Sequence, residues 1–327
     1  MPRASATAVA AALGALAAVT VTAPAPATAA PPSETDTART AKVLVIGLDG
    51  LNLDRVQAAD APNLKSLMRQ GVTAPSRLYA QPMAATSSGP GWSTVATGVW
   101  PDKHGVKDNS FRGKRFDQHP DFLTRIEQAR PELRTYAAAD WEPITSTDQN
   151  GPIFSPAVDT RFNLKGDRDG YRQEDPKIAD HAVNQLRASR GPDASFVYLG
   201  EIDEAGHRHG AASPRYLEAI ARSDRLVGRI LDAVRSRTTY ADEDWLIQLT
   251  TDHGHTNRGG HGGSSPEERQ TFVIANGPGI TPGSTRHDVR LVDVAATALD
   301  HLGLSTEGLD GRPLRQPDTD PFDTLRP

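Results

Sequence analysis

A three-layer α/β sandwich with a mostly parallel central sheet is the fold this sequence predicts, on two observations. Four short apolar runs recur along the chain with helical segments between them, the alternation that builds strand–helix–strand units. The first run, Lys42 to Leu48, shows no apolar–polar alternation, as expected of a central strand covered on both faces.

The elements follow in order. Residues 1–29 carry one charge, Arg3, then an alanine-rich apolar run from Ala8 to Val21, and end in Ala27-Thr28-Ala29. That is the pattern of a secretory signal peptide cut after Ala29, so the mature protein is expected to be secreted and extracellular. The apolar run is too short and too rich in alanine for a membrane span of about 20 residues. Residues 30–41 read as a polar linker, and 42–327 as a single catalytic domain. The first strand stops at Asp49-Gly50. A helix over 61–70 closes at Gly71. Further strands are predicted at 195–199, 245–250 and 271–275. A long helix runs from Pro214 to about Arg237, with Ser213 as N-cap and Leu217, Ile220, Val227, Leu231 and Val234 as its apolar stripe. Asp224 falls on that stripe, so it is either solvated at the stripe's edge or bonded to a buried partner, such as one behind a metal ligand. A last helix covers 291–301 and ends at Gly303. The polar, Asp-, Gly- and Pro-rich stretch 141–177 is expected to be a small irregular insertion.

Composition removes several function classes. The chain of 327 residues has no cysteine, which excludes a disulfide scaffold, an iron–sulfur protein, a thiolate zinc site and a cysteine nucleophile. Its net charge of -5 argues against a general nucleic-acid-binding face.

Chemistry gathers at strand ends, where open α/β sheets bind ligands. One predicted strand ends at Asp49. Another leads into Asp203 and His207, four apart and so on one face of a helical turn. A third leads into Asp252-His253-Gly254, with Gly260-His261-Gly262 shortly after. A lone Asp after a strand is usually a cap, but three such ends are harder to explain that way. Carboxylate and imidazole without thiolate suit divalent ions, zinc first and manganese or iron less specifically. His207, His209 and His255 lie close together, so some of these histidines must be outer or surface residues. Residues 86–98, TSSGPGWSTVATG, supply hydroxyls just before a short helix, where the N-terminus favours an anion. Ser88 is there either as a nucleophile or as a plain N-cap.

Together these segments resemble the alkaline phosphatase superfamily, and within it the type I phosphodiesterase/nucleotide pyrophosphatase branch. The matching pieces are Leu48-Asp49-Gly50, the stretch from Ser88 through Gly98 to Val106, Asp108-Asn109, Asp203-x-x-Gly206-His207, Asp252-His253-Gly254, Gly260-His261-Gly262 and residues 309–314. The resemblance implies an alkaline-phosphatase-like fold and two zinc ions. Asp203, His207 and His261 would hold one; Asp49, Asp252, His253 and the nucleophile would hold the other. Counting back nine residues from Thr97 makes Ser88 that nucleophile, attacking a small-molecule phosphate ester through a covalent phosphoseryl-type intermediate. Two departures stand out. Gly91 occupies the place where the family usually carries an asparagine that donates to the phosphoryl group, which leaves Asn109 as the candidate substrate-binding amide. The chain is also short for the family.

Phosphodiesters or nucleotide pyrophosphates are therefore the expected substrates. Phosphomonoester hydrolysis is the alternative, with Arg161, Lys165, Arg168 and Arg172 available in the insertion. A sulfatase is disfavoured by Trp92 in place of the required arginine and by the lack of cysteine. An inert secreted binding protein is disfavoured because all six metal-ligand positions are filled.

Overall fold

The computed structural model describes residues 39–147 and 150–315, so the leader and the cut after Ala29 lie outside the described residues. Its frame is one sheet of eight strands: β1 (Thr40–Leu48), β2 (Val72–Arg77), β3 (Thr135–Ala139), β4 (Thr160–Asn163), β5 (Ala194–Leu199), β6 (Glu243–Thr250), β7 (Gln270–Asn276) and β8 (Ser284–Thr285). They stand in the order β4-β3-β5-β1-β6-β7-β2-β8. From β4 to β6 all pairings are parallel; β7 runs antiparallel to both β6 and β2. The α/β, mostly parallel sandwich is the predicted one.

The unbroken apolar character of β1 has a plain cause. Val43 and Val45 point into one core, Leu44, Ile46 and Leu48 into the other, and all are fully buried. The first core is covered by the helices Ser88–Thr97, Phe122–Ala129 and Asp293–His301, the second by Pro62–Gln70, Tyr171–Arg187 and Pro214–Arg235. No helix among the described residues is long and apolar enough to cross a membrane.

Two sequence expectations are met in part. Asp224 is fully buried, and its partner is not behind a metal ligand. Its Oδ1 accepts from the backbone N–H of Leu64 at 2.7 Å, and its Oδ2 from the side-chain amide of Asn63 at 2.8 Å. The carboxylate thus caps the helix Pro62–Gln70 from another helix, satisfying donors that Ala61 at the N-cap cannot. The stretch 141–177, expected to be irregular, carries the edge strand β4 and the start of the helix Tyr171–Arg187. Residues 150–159 hold no helix or strand, as expected, while β4 presents half-exposed side chains as an edge strand does.

Because β5, β1 and β6 are adjacent and parallel, their carboxyl ends open at one edge, side by side. Asp49, the helix Glu201–His209 and Asp252-His253 all start there.

Candidate metal centre and active site

The site is assembled as two donor clusters. Asp49, Asp252 and His253 form one, all buried; Asp203, His207, His255 and His261 form the other. The His253 and His261 rings, one from each, have centroids 3.8 Å apart. In the first cluster His253 Nε2 stands 3.2 Å from Asp252 Oδ2 and 3.6 Å from Asp49 Oδ1. In the second, His207 Nε2 stands 3.4 Å from Asp203 Oδ2 and 3.0 Å from His261 Nε2.

Two of the ring nitrogens that face away are tethered. His261 Nδ1–H donates to the Thr86 carbonyl at 2.7 Å and His253 Nδ1–H to the Gly254 carbonyl at 3.1 Å. In the neutral ring this leaves Nε2 as a lone pair, and in both clusters Nε2 points at other acceptors. Asp49 is similarly organised. Its Oδ2 accepts from Trp92 Nε1 at 2.9 Å and from the Tyr198 hydroxyl at 2.6 Å, while Oδ1 is buried without a partner. Asp252 Oδ2 is buried and unpartnered as well.

Electrostatics agree with this inventory. Burial, reinforced by the Asp49 charge, pushes Asp203 up to about 7 and Asp252 well above the usual carboxylate range. Burial holds His253 well below its ordinary value, hence neutral. Converging lone pairs and mutually repelling carboxylates are the donor set that a divalent cation satisfies, so these residues fit a two-metal site.

Ser88 is buried and opens the helix Ser88–Thr97, with its Oγ 3.4 Å from His253 Nε2. Ser87, not Ser88, occupies the N-cap position. The competing hydroxyls are engaged elsewhere: Ser87 donates to Asn109 Oδ1 at 2.8 Å, Thr86 donates to the Gly263 carbonyl at 2.9 Å, and Ser93 is sealed inside the helix packing. Asn109 Oδ1 also accepts the Gly89 N–H at 2.7 Å. Gly91 is where the helix meets Asp252: a Cβ there would stand 2.7 Å from the Asp252 Cβ. Ser88, Asn109, Asp49, Asp203, His207 and His261 line one cavity of about 430 Å³, whose far wall is Trp141, Asp167 and Tyr171.

Comparison with known proteins points the same way. Residues 43–259 match the family model described as type I phosphodiesterase / nucleotide pyrophosphatase. The chain belongs to that family. Within the family it is 29% identical over 234 residues to human ectonucleotide pyrophosphatase/phosphodiesterase family member 7, covering 66% of this chain and 48% of that protein. It is 29% identical over 160 residues to the catalytic subunit of human GPI ethanolamine phosphate transferase 2, covering 45% of this chain and 16% of that one. The chain spans about half the length of the first curated relatives it matches. Among solved structures, an inactive murine ectonucleotide pyrophosphatase/phosphodiesterase 5 in complex with AMP superposes with TM-score 0.61 at 15% identity, over 83% of this chain and 97% of that one. A 2-O glycosaminoglycan sulfatase, BT1596, superposes with TM-score 0.63 at 15% identity, over 84% and 73%. These two likenesses are likenesses of fold.

All seven predicted metal or nucleophile positions converge on this cavity or its floor, and Asn109 lies on its wall. Trp92 and Tyr198, which hold Asp49, were not foreseen from the sequence; His255, which holds Asp203, is among the histidines expected to be outer or surface residues. His209, the other histidine left aside, is exposed at the end of its helix. The proximity of His255 to the Asp252-His253 pair was the available signal; Trp92 and Tyr198 read as core aromatics and gave none.

Proposed function

We propose that this chain hydrolyses phosphodiesters or nucleotide pyrophosphates through Ser88, with two divalent ions in the paired clusters. Asp203, His207 and His261 would hold one ion; Asp49, Asp252, His253 and Ser88 the other. The donor chemistry favours zinc. When bound, the ions supply Lewis acidity, easing ionisation of the hydroxyl and neutralising phosphoryl charge. The observation that carries the reading is the placement of Ser88 Oγ beside His253, at a helix N-terminus that favours the phosphoryl anion.

Ser88 Oγ, having lost its proton, forms a bond to phosphorus while the bond to the leaving oxygen breaks, and that oxygen takes a proton from solvent. Water then cleaves the phosphoseryl ester, restoring the Ser88 hydroxyl and releasing the phosphorylated product. With Oδ1 of Asn109 occupied by the Gly89 N–H and the Ser87 hydroxyl, its Nδ2 is the end left to donate to a phosphoryl oxygen.

The cavity wall favours a diester over a monoester. A dianionic monoester calls for a free cation, and Arg208, the one arginine or lysine among the described residues of that wall, is paired with Glu204 at 2.8 Å. Arg161 donates to the Thr145 carbonyl, Lys165 pairs with Glu142 and Arg168 with Asp169. The AMP bound to the murine relative supports a nucleotide as one substrate. The leader pattern in residues 1–29 supports export, with a mature N-terminus near Ala30 that sequencing of the secreted protein would check.

A panel of bis- and mono-p-nitrophenyl phosphate and an aryl sulfate, with and without chelator, tests the reading. Diester turnover should be fastest, vanish on chelation and return with zinc. Faster monoester or sulfate turnover, or indifference to chelation, overturns it.

A further inference from the structure

His255 is fully buried, and its ring is wedged between two glycines of neighbouring elements. A Cβ at Gly50 would stand 2.7 Å from Nε2, and one at Gly206 would stand 2.6 Å from the ring. Gly50 also has φ +65°, which disfavours any side chain there. The backbone of His255 is clamped at both ends by one amide: its N–H donates to Asn52 Oδ1 at 2.8 Å, and its carbonyl accepts from Asn52 Nδ2 at 3.3 Å. Asn52 in turn donates its own N–H to the Tyr216 hydroxyl at 2.9 Å. So fixed, the ring presents Nε2 to Asp203 Oδ1 at 2.7 Å.

That distance separates two roles. Two donors on one zinc, each about 2.0–2.1 Å from the metal in a tetrahedron, stand about 3.3 Å apart. The pairs among Asp203, His207 and His261 run 3.4, 3.0 and 3.6 Å, the spread expected of co-ligands. The His255–Asp203 contact is shorter and is a hydrogen bond.

We propose that His255 is a positioning residue, whose Nε2–H holds Oδ1 of Asp203 so that the carboxylate and the Nε2 lone pairs of His207 and His261 converge on one ion. The two glycines are part of the device, since either Cβ would displace the ring. The inference rests on the two-metal reading above and deepens it for one of the two ions: its affinity depends on a residue that does not touch it.

Zinc titration of the metal-free protein against a chromophoric chelator gives the two dissociation constants directly, with no reliance on turnover. In the wild type two ions should bind; if none binds, the two-metal reading itself fails. His255→Leu fills the space without a donor. It should weaken one ion about 10- to 100-fold and leave the other within about threefold. His255→Gln keeps an N–H near the position of Nε2 but no ring nitrogen to ligate, and should bind both ions within about threefold of wild type. Two unchanged constants in His255→Leu overturn the proposal. So does a loss in His255→Gln as large as in His255→Leu, which would make His255 a ligand. If circular dichroism shows that His255→Leu does not fold, His255→Gln alone decides: near-wild-type affinity upholds the donor role and a tenfold loss at one ion overturns it.

Discussion

Replacing His104 by asparagine should remove a proton-linked part of the acid sensitivity of the fold. His104 is fully buried beneath the helix that carries Ser88. Its Nδ1 accepts the Val106 N–H at 3.1 Å, and its Nε2 meets Thr94 Oγ1 at 3.1 Å. Thr94 already donates its proton to the Pro90 carbonyl at 2.9 Å, so Nε2–H is the donor in that pair. Both ring positions are therefore committed in the neutral form, and a second proton on Nδ1 would face an N–H. Burial is the main cause, with His119 and Arg115 adding to it, and the group is lowered from 6.5 to about 3. Below pH 6.5 the unfolded chain takes up a proton that the folded chain refuses, so stability falls as pH falls, down to about pH 3. At about 1.4 kcal/mol per unit, the step from pH 7 to pH 5 costs roughly 2 kcal/mol through this residue. Asparagine offers its Oδ1 to Val106 but loses the Thr94 contact, so the variant should start about 1–3 kcal/mol less stable at pH 7. Urea unfolding of both proteins at pH 7 and pH 5 measures the gap. It should narrow by roughly 2 kcal/mol at the lower pH. A gap that stays constant would show that His104 is protonated in the fold and refute the reasoning.

Three further outcomes follow from the same geometry. Ser88→Ala should keep both ions and the melting temperature while losing turnover by about a thousandfold or more, whereas Ser87→Ala should lose far less; steady-state kinetics with elemental analysis checks both. Asp224→Ala strands the N–H groups of Asn63 and Leu64 and should cost about 2–4 kcal/mol in urea unfolding, with zinc affinity unchanged. Gly91→Ala drives a methyl into Asp252 and should weaken the ion held with Asp49 and His253 and cut turnover about tenfold or more, measured by zinc titration and kinetics.

What could be read in the sequence was what a single segment determines. The runs at Lys42–Leu48 and Trp245–Thr250 had to be central strands because both faces are covered, and the residues after them had to lie at one sheet edge. The place of Ser88 at the head of its helix was legible because it stands directly before Gly89-Pro90, a local signal. Four strands went unread, three of them because of their composition. β3 is Thr-Tyr-Ala-Ala-Ala, fully buried yet with Thr135 as its one branched side chain; β2 carries Pro75 opposite Phe272; β4 is a polar edge; β8, Ser284–Thr285, is only two residues long. The donor-holding contacts were hidden by distance along the chain. Trp92 and Asp49 lie 43 residues apart and His255 and Asp203 52 apart, and nothing in either segment alone names its partner.

The glycine at position 91 has a physical explanation in the packing of the helix. Asp252 approaches the helix so closely that its Cβ and its carbonyl both lie within 3 Å of where a Cβ on residue 91 would stand. Any side chain there must push Asp252 off His253, 3.2 Å away, and so disturb the cluster next to Ser88. An amide donor at this site, as proposed for Asn109, would have to come from another segment. Asn109 arrives from the loop after the motif and is oriented by the helix itself, through the Gly89 N–H and the Ser87 hydroxyl on its Oδ1. Gly89 admits this contact because it has no side chain: a Cβ there would meet the Asp108 carbonyl at 2.8 Å. Gly89, Gly91 and Asn109 thus form one arrangement, in which two small residues let the carboxylate and the amide close on opposite sides of the same helix end.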